Sequence, residues 1–272
     1  MTYPSSDQPL ITIVTPAYNA EKFIAATLLS ALDQSFGDFE LLVLDDRSTD
    51  RTADIAEEFA ARDNRIRVIR LPRNFGAPAG PRNIGVQQAR GKWIAFLDAD
   101  DIWHADKLRC QLEALQRSGA RFCSTRMLDF HDETELHFAP AGEYKLRRIS
   151  FRSQLVRYQT PTSAVMVDAS VIRVIPFNED LAYKAREDLD CWLHCHELLG
   201  HSVKIEHPMM GYRLSPQQIS GKKWLMVKRH YHVLRNYRFH DGRPLGLAAL
   251  LFTATHFGLA GLQRLLAGKG RL

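Results

Sequence analysis

Three acidic residues, Asp98, Asp100 and Asp101, directly follow the apolar segment "KWIAFL". Neighbouring carboxylates repel one another and lose hydration when they are buried, so this cluster needs a compensating partner. Oxygen-only ligation by Asp suits Mg²⁺ or Mn²⁺, which keep coordination positions open for phosphate oxygens. In this context the cluster predicts a site where a divalent cation meets an anionic ligand such as a diphosphate. Taken alone, "DADD" also fits a solvated turn with a helix cap.

Two further acidic groups occur at comparable places along the chain. "FELLVLDD" ends in Asp45 and Asp46, and "RED" opens a helical pattern that contains Glu187, Asp188 and Asp190. Acids in the first turn of a helix are favourable against the helix dipole, which is the alternative to a catalytic role.

The elements that must position these acids alternate regularly in the first hundred residues. Apolar strand patterns begin at Leu10, Phe39, Ile66 and Trp93, and helical patterns with apolar residues on one face separate them. Strands and helices in this alternation predict an α/β fold with a doubly wound, mainly parallel sheet flanked by helices. We expect Pro16 to end the first strand, Ser48 or Thr49 to cap the second helix, and Asp101 to cap the helix after "DADD".

The unusual residues all follow strands. The segments "PAYN", "DDRSTD", "RNFGAPAGPRN" and "DADD" come after the first, second, third and fourth strand. Ligands of such sheets bind outside the carboxyl ends of the strands, so four separated segments converge on one edge.

These segments also resemble a known family. "IVTPAYNAEKFI", "SALDQSF", "FELLVLDDRSTDRT", "RNIGVQQARGKWIAFLDADDIW" and "RED", in this order, resemble glycosyltransferase family 2, which has the GT-A nucleotide-sugar-binding fold. The resemblance extends roughly from residue 11 to residue 213. It implies inverting transfer of a sugar from a nucleoside diphosphate, here most simply a UDP-sugar.

The resemblance also assigns residues to the donor. It places Pro16, Tyr18 and Glu21 around the nucleobase and ribose, with Tyr18 stacking; Asp46 on the base; Arg82 near the diphosphate or base; and Asp98 at the ribose or metal shell. One departure from the family is Arg47, a position where members often carry Gly.

For catalysis, the resemblance assigns Asp100 to the Mn²⁺ or Mg²⁺ ion and Asp188 to the base that deprotonates the acceptor hydroxyl. Inversion by single displacement requires such a base opposite the departing diphosphate. Asp190 is the second candidate for the base, and His201 or His207 could complete the metal shell.

Composition is that of an ordinary globular protein of 272 residues, with 45% hydrophobic and 25% charged residues and a net charge of +5. The four cysteines have no paired CxxC spacing, which favours buried thiols in a reducing compartment over a zinc site. The N-terminus shows no secretory signal pattern, so we expect the cytoplasm.

The C-terminal part, residues 216–272, is expected to be a helical appendage to a catalytic domain of residues 1–215. It contains a basic stretch and then "LGLAALLFTATHFGLAGLQRLLA". Thr253, His256 and Gln263 lie near one face of this helix, which favours an interfacial helix on the inner face of the cytoplasmic membrane. A lipid-linked glycan in cell-surface polysaccharide assembly is then the expected acceptor. The alternative is a helix that covers the catalytic core.

Three other protein classes fit less well. A receiver-type phosphorylation domain predicts about half this length, and a nicotinamide-binding enzyme requires a G-x-G-x-x-G that "TPAYNAEKF" lacks. A degenerate transferase acting as a membrane-bound scaffold or nucleic-acid binder would not need the acids at 46, 98, 100 and 188. The basic tail has few of the interleaved aromatics of a single-strand binding surface, so we expect no nucleic-acid partner.

Overall fold

The computed structural model describes residues 8–215 and 223–268, with a nine-stranded mixed sheet and helices on both of its faces. The strands are β1 (Ile11–Ala17), β2 (Phe39–Asp45), β3 (Ile66–Arg70), β4 (Trp93–Phe96), β5 (Ile102–Trp103), β6 (Phe122–Phe130), β7 (Leu146–Ser150), β8 (Met166–Asp168) and β9 (His201–Arg213). The α-helices are α1 (Ile24–Leu32), α2 (Thr52–Ala60), α3 (Ala79–Gln88), α4 (Lys107–Ser118), α5 (Phe151–Val156), α6 (Ala169–Ile172), α7 (Glu187–Leu199), α8 (Lys223–Asn236) and α9 (Ala248–Gly268).

The first half of the sheet is parallel. Strands β3, β2, β1 and β4 pair in this order, all in the same direction. Residues in β1 and β2 are buried along their whole length, because helices cover both faces of a parallel sheet. Their side chains alternate between two apolar clusters, one on each face. The α/β fold with flanking helices is therefore confirmed.

The second half of the sheet mixes strand directions. Strand β8 is antiparallel to both β4 and β6, whereas β6 and β9 are parallel. Strand β9 also pairs with β7 and β5, both antiparallel to it. The register of β6 against β9 shifts on both sides of Arg126, an irregularity that redirects the side chains there.

Three local predictions are wrong. Strand β1 continues through Pro16 to Ala17, where Pro16 still pairs with Leu44. Arg51, not Ser48 or Thr49, precedes α2, and Asp106, not Asp101, precedes α4. A short strand, β5, follows "DADD" in place of the expected helix.

The C-terminal helices pack against the catalytic part of the chain. Helix α8 contacts α7, and α9 contacts α5 and α8, around a third apolar cluster that includes Leu189, Leu193, Val233 and Leu234. Thr253 and His256 of α9 are buried, so its polar side faces inward, while Leu250 and Leu251 are exposed; Gln263 lies outside the residues whose side chains are described. The expected helical C-terminal part is present, and the beginning of α9 covers the core.

In the described parts of the chain, no helix is both long and apolar enough to cross a membrane. All four cysteines are unpaired and buried, as the absence of CxxC spacing predicted.

Candidate active site

A cavity of about 270 Å³ lies at the carboxyl ends of β1 and β4. Its lining includes five of the residues singled out in the sequence: Pro16, Tyr18, Arg82, Asp98 and Asp100. The Tyr18 side chain is 52% exposed, so its ring is available to a planar ligand. The parallel strands thus bring three of the four expected segments together at one edge.

Hydrogen bonds join the loops after β1 and β2. The Asn19 side-chain oxygen accepts from the Thr49 amide at 2.8 Å, and the Asn19 amide donates to the Ser48 hydroxyl at 3.1 Å. Asn19 has a φ of 49°, a left-handed conformation that Asn tolerates better than most residues. These contacts fix the backbone beside Tyr18.

Glu21 belongs to the same junction. Its carboxylate accepts from the Arg51 amide at 3.1 Å, and its own amide donates to Asp50 at 3.1 Å. Glu21 is not among the residues that line the described cavity. In this arrangement it holds the two loops together.

Asp46 is buried and linked to the loop after β3. Its carboxylate accepts from the Phe75 amide at 2.9 Å, and its carbonyl accepts from the Asn74 side chain at 2.8 Å. Burial, opposed by the Phe75 hydrogen bond and assisted by Asp45, raises the pKa of Asp46. Asp46 also lies outside the cavity lining.

Arg47, the departure from the family pattern, has a φ of 61°. Glycine adopts this conformation without steric cost, which explains why it suits the position. Here the Arg47 guanidinium donates to the Pro72 carbonyl at 3.2 Å.

Arg82 joins the cavity to α7. Its side chain is 3% exposed and donates to Asp98 at 2.6 Å and to Glu187 at 2.9 Å. Burial alone lowers the pKa of Arg82, but the carboxylates of Asp98 and Glu187 raise it overall, so the guanidinium is permanently charged. Burial raises the pKa of Glu187 despite the opposing charge of Arg82.

The acids of "DADD" have different surroundings. Asp98 and Asp100 line the cavity, whereas Asp101 is 1% exposed and accepts from the Arg213 amide at 3.1 Å. Burial and then the charges of Asp100 and Asp98 raise the pKa of Asp101 well above its usual value. Asp101 therefore connects the end of β4 to β9 and does not cap a helix.

Asp188 lies beside the Arg82 bridge, next to Glu187 at the start of α7. Its carboxylate accepts from the Tyr158 hydroxyl at 2.6 Å and from the Thr162 hydroxyl at 3.3 Å. Burial and then Asp188 raise the pKa of Tyr158 well above its usual value, so the phenol stays protonated and donates. Asp190, by contrast, is buried, and its ion-pair partner within the described residues is His194, at 4.0 Å.

The sequence missed several residues of this site. Tyr158, Thr162 and Ser163 follow no strand of the parallel half, and Ser163 accepts from the Asp98 amide at 3.0 Å. Conversely, the imidazole of His207 contacts the Ala139 carbonyl at 3.2 Å, and His201 lies at the start of β9, paired with Ser150. The structure thus places both histidines beside other backbone groups of the sheet region.

Comparison with known proteins identifies the family. The model of "Glycosyl transferase family 2" matches residues 12–178, more than half of the chain. The chain belongs to this family. It is a glycosyltransferase with a GT-A fold.

Two curated relatives align along most of this family member. TuaG of Bacillus subtilis (strain 168), a glycosyltransferase assigned to teichuronic acid biosynthesis, is 34% identical over 230 residues, which cover 84% of this chain and 88% of the relative. WfgD of Escherichia coli, a UDP-Glc:α-D-GlcNAc-diphosphoundecaprenol β-1,3-glucosyltransferase, is 32% identical over 234 residues, with coverages of 85% and 87%.

Solved structures of other glycosyltransferases share the fold. Residues 1–349 of Staphylococcus aureus TarS, in complex with UDP-GlcNAc, superpose with a TM-score of 0.68 at 22% identity, covering 83% of this chain and 64% of that TarS chain. The mannosyltransferase PcManGT of Pyrobaculum calidifontis, in complex with GDP-Man and Mn²⁺, gives a TM-score of 0.64 at 14% identity, with coverages of 97% and 77%.

The cavity is compatible with a divalent cation. Within the described residues no three His, Cys, Asp or Glu side chains form a complete metal cage. Mg²⁺-type ions in nucleotide sites are held by one or two carboxylates together with substrate phosphates. Asp98 and Asp100 provide two carboxylates on one wall of the cavity, which fits this mode of binding.

Proposed function

We propose that this chain catalyses metal-dependent, inverting transfer of a sugar from a UDP-sugar to a glycan or lipid-linked glycan during cell-surface polysaccharide biosynthesis. One observation carries the proposal: Arg82 connects Asp98, on the wall of the cavity, to Glu187, the neighbour of Asp188. A donor site and a candidate base are thereby held at a fixed separation.

On the donor side, Tyr18 offers an exposed ring for the base, and Pro16 and Asp98 line the same cavity. Asp46 and Glu21 act in this proposal by fixing the loops that carry these residues, since their carboxylates accept backbone amides. The assignment of UDP is supported by the relative WfgD, a UDP-Glc-dependent glucosyltransferase, and by the UDP-GlcNAc bound to TarS.

Asp100, assisted by Asp98, would hold a Mn²⁺ or Mg²⁺ ion. Such an ion neutralises charge on the departing diphosphate. The ion would also relieve the repulsion among the acids after β4, because a cation near two carboxylates favours their charged form.

Asp188 is the proposed base. Hydrogen bonds from Tyr158 and Thr162 occupy one of its oxygens and orient the carboxylate. The other oxygen accepts from the Leu189 amide at 2.8 Å and retains a further lone pair. In the reaction, Asp188 takes the proton of the acceptor hydroxyl. The oxygen of that hydroxyl attacks the anomeric carbon of the donor sugar, and the diphosphate leaves.

We further propose that the protein binds the inner face of the cytoplasmic membrane through α9. Leu250 and Leu251 of α9 are 56% and 62% exposed, and Leu247, directly before the helix, is 88% exposed, although α9 packs on the core by its polar side. Exposed cations of the preceding region, such as Lys228, Arg235 and Arg243, suit anionic lipid headgroups.

A donor screen tests the function. UDP-, GDP- and dTDP-sugars are each incubated with the full chain, Mn²⁺ and a diphosphoprenyl-linked GlcNAc acceptor, and the product anomer is identified by NMR. The proposal requires transfer from a UDP-sugar with inversion at the anomeric carbon. A retained anomer would contradict it, and a lack of turnover with every donor, despite UDP binding, would favour the degenerate-scaffold alternative.

Vesicle sedimentation tests the membrane surface. We expect Leu250→Ser with Leu251→Ser to reduce binding to anionic vesicles at least tenfold without lowering the melting temperature. Leu29→Ser with Val174→Ser is the matched control, because these side chains are 49% and 69% exposed elsewhere. Equal partitioning of the two double variants would exclude α9 as the membrane contact.

A further inference from the structure

A second cavity, of about 470 Å³, is lined by residues 157–161, the segment whose Tyr158 hydroxyl donates to Asp188. Its lining is basic, with four cations and one carboxylate: Arg126, Arg147, Arg157, Lys204 and Glu206. Tyr158, Thr160 and Pro161 complete one wall. Its volume is within the range of small-molecule sites.

The strands force these cations together. Arg147 of β7 lies directly opposite Lys204 of β9 in the antiparallel register, an arrangement that is unfavourable for like charges. Arg126 occurs where the register of β6 against β9 shifts. Three strands therefore direct positive charge toward one concave surface.

Only part of this charge is neutralised within the protein. Arg147 pairs with Glu206 at 2.5 Å and donates to the Gln159 side chain at 2.7 Å, and Lys204 donates to the Gln159 carbonyl at 2.7 Å. Among the residues that the structure describes, neither Arg126 nor Arg157 has an ion-pair partner. Burial and then Arg147 lower the pKa of Lys204 to about 8, and the same two causes lower the pKa of Arg157.

The wall between this cavity and the candidate base is one side chain thick. The Tyr158 hydroxyl donates to Asp188 at 2.6 Å and is also 2.6 Å from the Thr160 carbonyl, while both residues line the basic cavity. One hydrogen bond, that of Tyr158, therefore links the basic cavity to Asp188.

We propose that this basic cavity, defined by Arg126, Arg147, Arg157 and Lys204, binds a phosphate or diphosphate group of the acceptor. Arg forms bidentate, charge-assisted hydrogen bonds with phosphate oxygens, and an anion here would relieve the repulsion between the facing cations. The inference rests on the proposed function, because the anionic molecule it names is the acceptor whose hydroxyl Asp188 deprotonates.

Binding without turnover tests this proposal separately from the transferase activity. Calorimetry in EDTA measures the affinity of the full chain for farnesyl diphosphate, inorganic pyrophosphate and glucuronate. EDTA prevents metal-dependent binding at the acidic cavity, the first cavity described above, which Asp98 and Asp100 line. We expect both diphosphates to bind, and Arg126→Gln with Arg157→Gln to weaken both at least tenfold. Tighter binding of the prenyl compound would identify a lipid-linked source, and equal binding would identify the phosphate group alone.

The matched control is Arg148→Gln with Arg152→Gln, which removes the same charge from exposed positions outside the cavity lining. Residue 148 is adjacent to Arg147 on β7 and so points to the opposite face. If the variant with both Arg126→Gln and Arg157→Gln fails to fold, Arg126→Gln alone, at an exposed position, should still weaken diphosphate binding at least threefold.

The proposal is overturned if the wild type binds neither diphosphate, if the control variant loses as much affinity as the cavity variant, or if glucuronate binds better than pyrophosphate. A failed donor screen would leave these binding results unaffected. Normal diphosphate binding without any transfer would count against the proposed function alone.

Discussion

The two cavities differ in charge and in the strands that build them, and the contacts of Arg82 with Glu187 and of Asp188 with Tyr158 connect one to the other. The acidic cavity, with Asp98 and Asp100 on its wall, lies at the carboxyl ends of the neighbouring parallel strands β1 and β4. The basic cavity is built between β6, β7 and β9, which come from distant parts of the chain. Asp188 lies between the Arg82 bridge and Tyr158, so in our proposal the donor and the acceptor bind in separate electrostatic environments.

The largest expected effect concerns the residue between the two cavities. We expect Asp188→Asn to lower kcat by roughly 10²–10⁴-fold, the usual contribution of a positioned base. UDP affinity should stay within about twofold of wild type, because Asp188 does not line the acidic cavity. Steady-state kinetics and calorimetry provide the two values.

Asp190→Asn is the control for that substitution, since Asp190 is the other acid of the same helical turn. If Asp190→Asn abolishes transfer and Asp188→Asn does not, the base has been assigned to the wrong carboxylate.

A smaller effect is expected when the hydrogen bond to the base is removed. Tyr158→Phe keeps the ring but loses the donor at 2.6 Å from Asp188, so we expect kcat to fall about tenfold with an unchanged donor KM. A loss of thermal stability with an unchanged kcat would reduce Tyr158 to a packing residue.

The smallest expected effect is at the contact between α9 and the segment that contains Tyr158. The His256 ring accepts from the Tyr158 amide at 3.1 Å and stacks on His230 at 4.4 Å. Burial, and then the charges of Arg186 and Arg157, lower the pKa of His256 to about 4 from 6.5. His256 therefore binds a proton at a higher pH in the unfolded chain than in the native chain. The free energy of unfolding consequently falls as the pH falls from about 6.5 toward 4.

We expect His256→Gln, whose side-chain oxygen can still accept from Tyr158, to reduce this loss. Urea unfolding at pH 7 and pH 5 gives the decrease in the free energy of unfolding between these two pH values. This decrease should be smaller in the variant than in wild type by on the order of 1–2 kcal/mol. Buried acids such as Asp101 contribute equally to both proteins and cancel in the difference. Identical decreases would show that His256 does not titrate with unfolding.

The acidic half of the site was readable from sequence because its signals are local. Each strand of the parallel half is an apolar run followed at once by its polar loop, so Pro16, Tyr18, Asp98 and Asp100 could be placed at one edge before any contact was known. Pro16 misled only about the end of β1: proline lacks an amide hydrogen, but the strand pairs on through it.

The remainder depends on contacts between distant residues. Arg82 and Glu187 are 105 positions apart, and Tyr158 and Asp188 are 30 apart. The composition of β6, β7 and β9 does not predict that Arg126, Arg147 and Lys204 share a surface. That arrangement depends on the strand order and on the register shift. The expected cap at Asp101 failed for the same reason: its partner is the Arg213 amide in β9.

Melting temperatures with and without UDP and Mn²⁺, for wild type, Asp100→Asn and Asp188→Asn, test the central claim most directly. If the acidic cavity binds donor and metal, UDP with Mn²⁺ raises the melting temperature of wild type and Asp188→Asn more than UDP alone does. Asp100→Asn then loses that metal-dependent increment. An undiminished increment in Asp100→Asn, or its loss in Asp188→Asn alone, would contradict the assignment of the two sites.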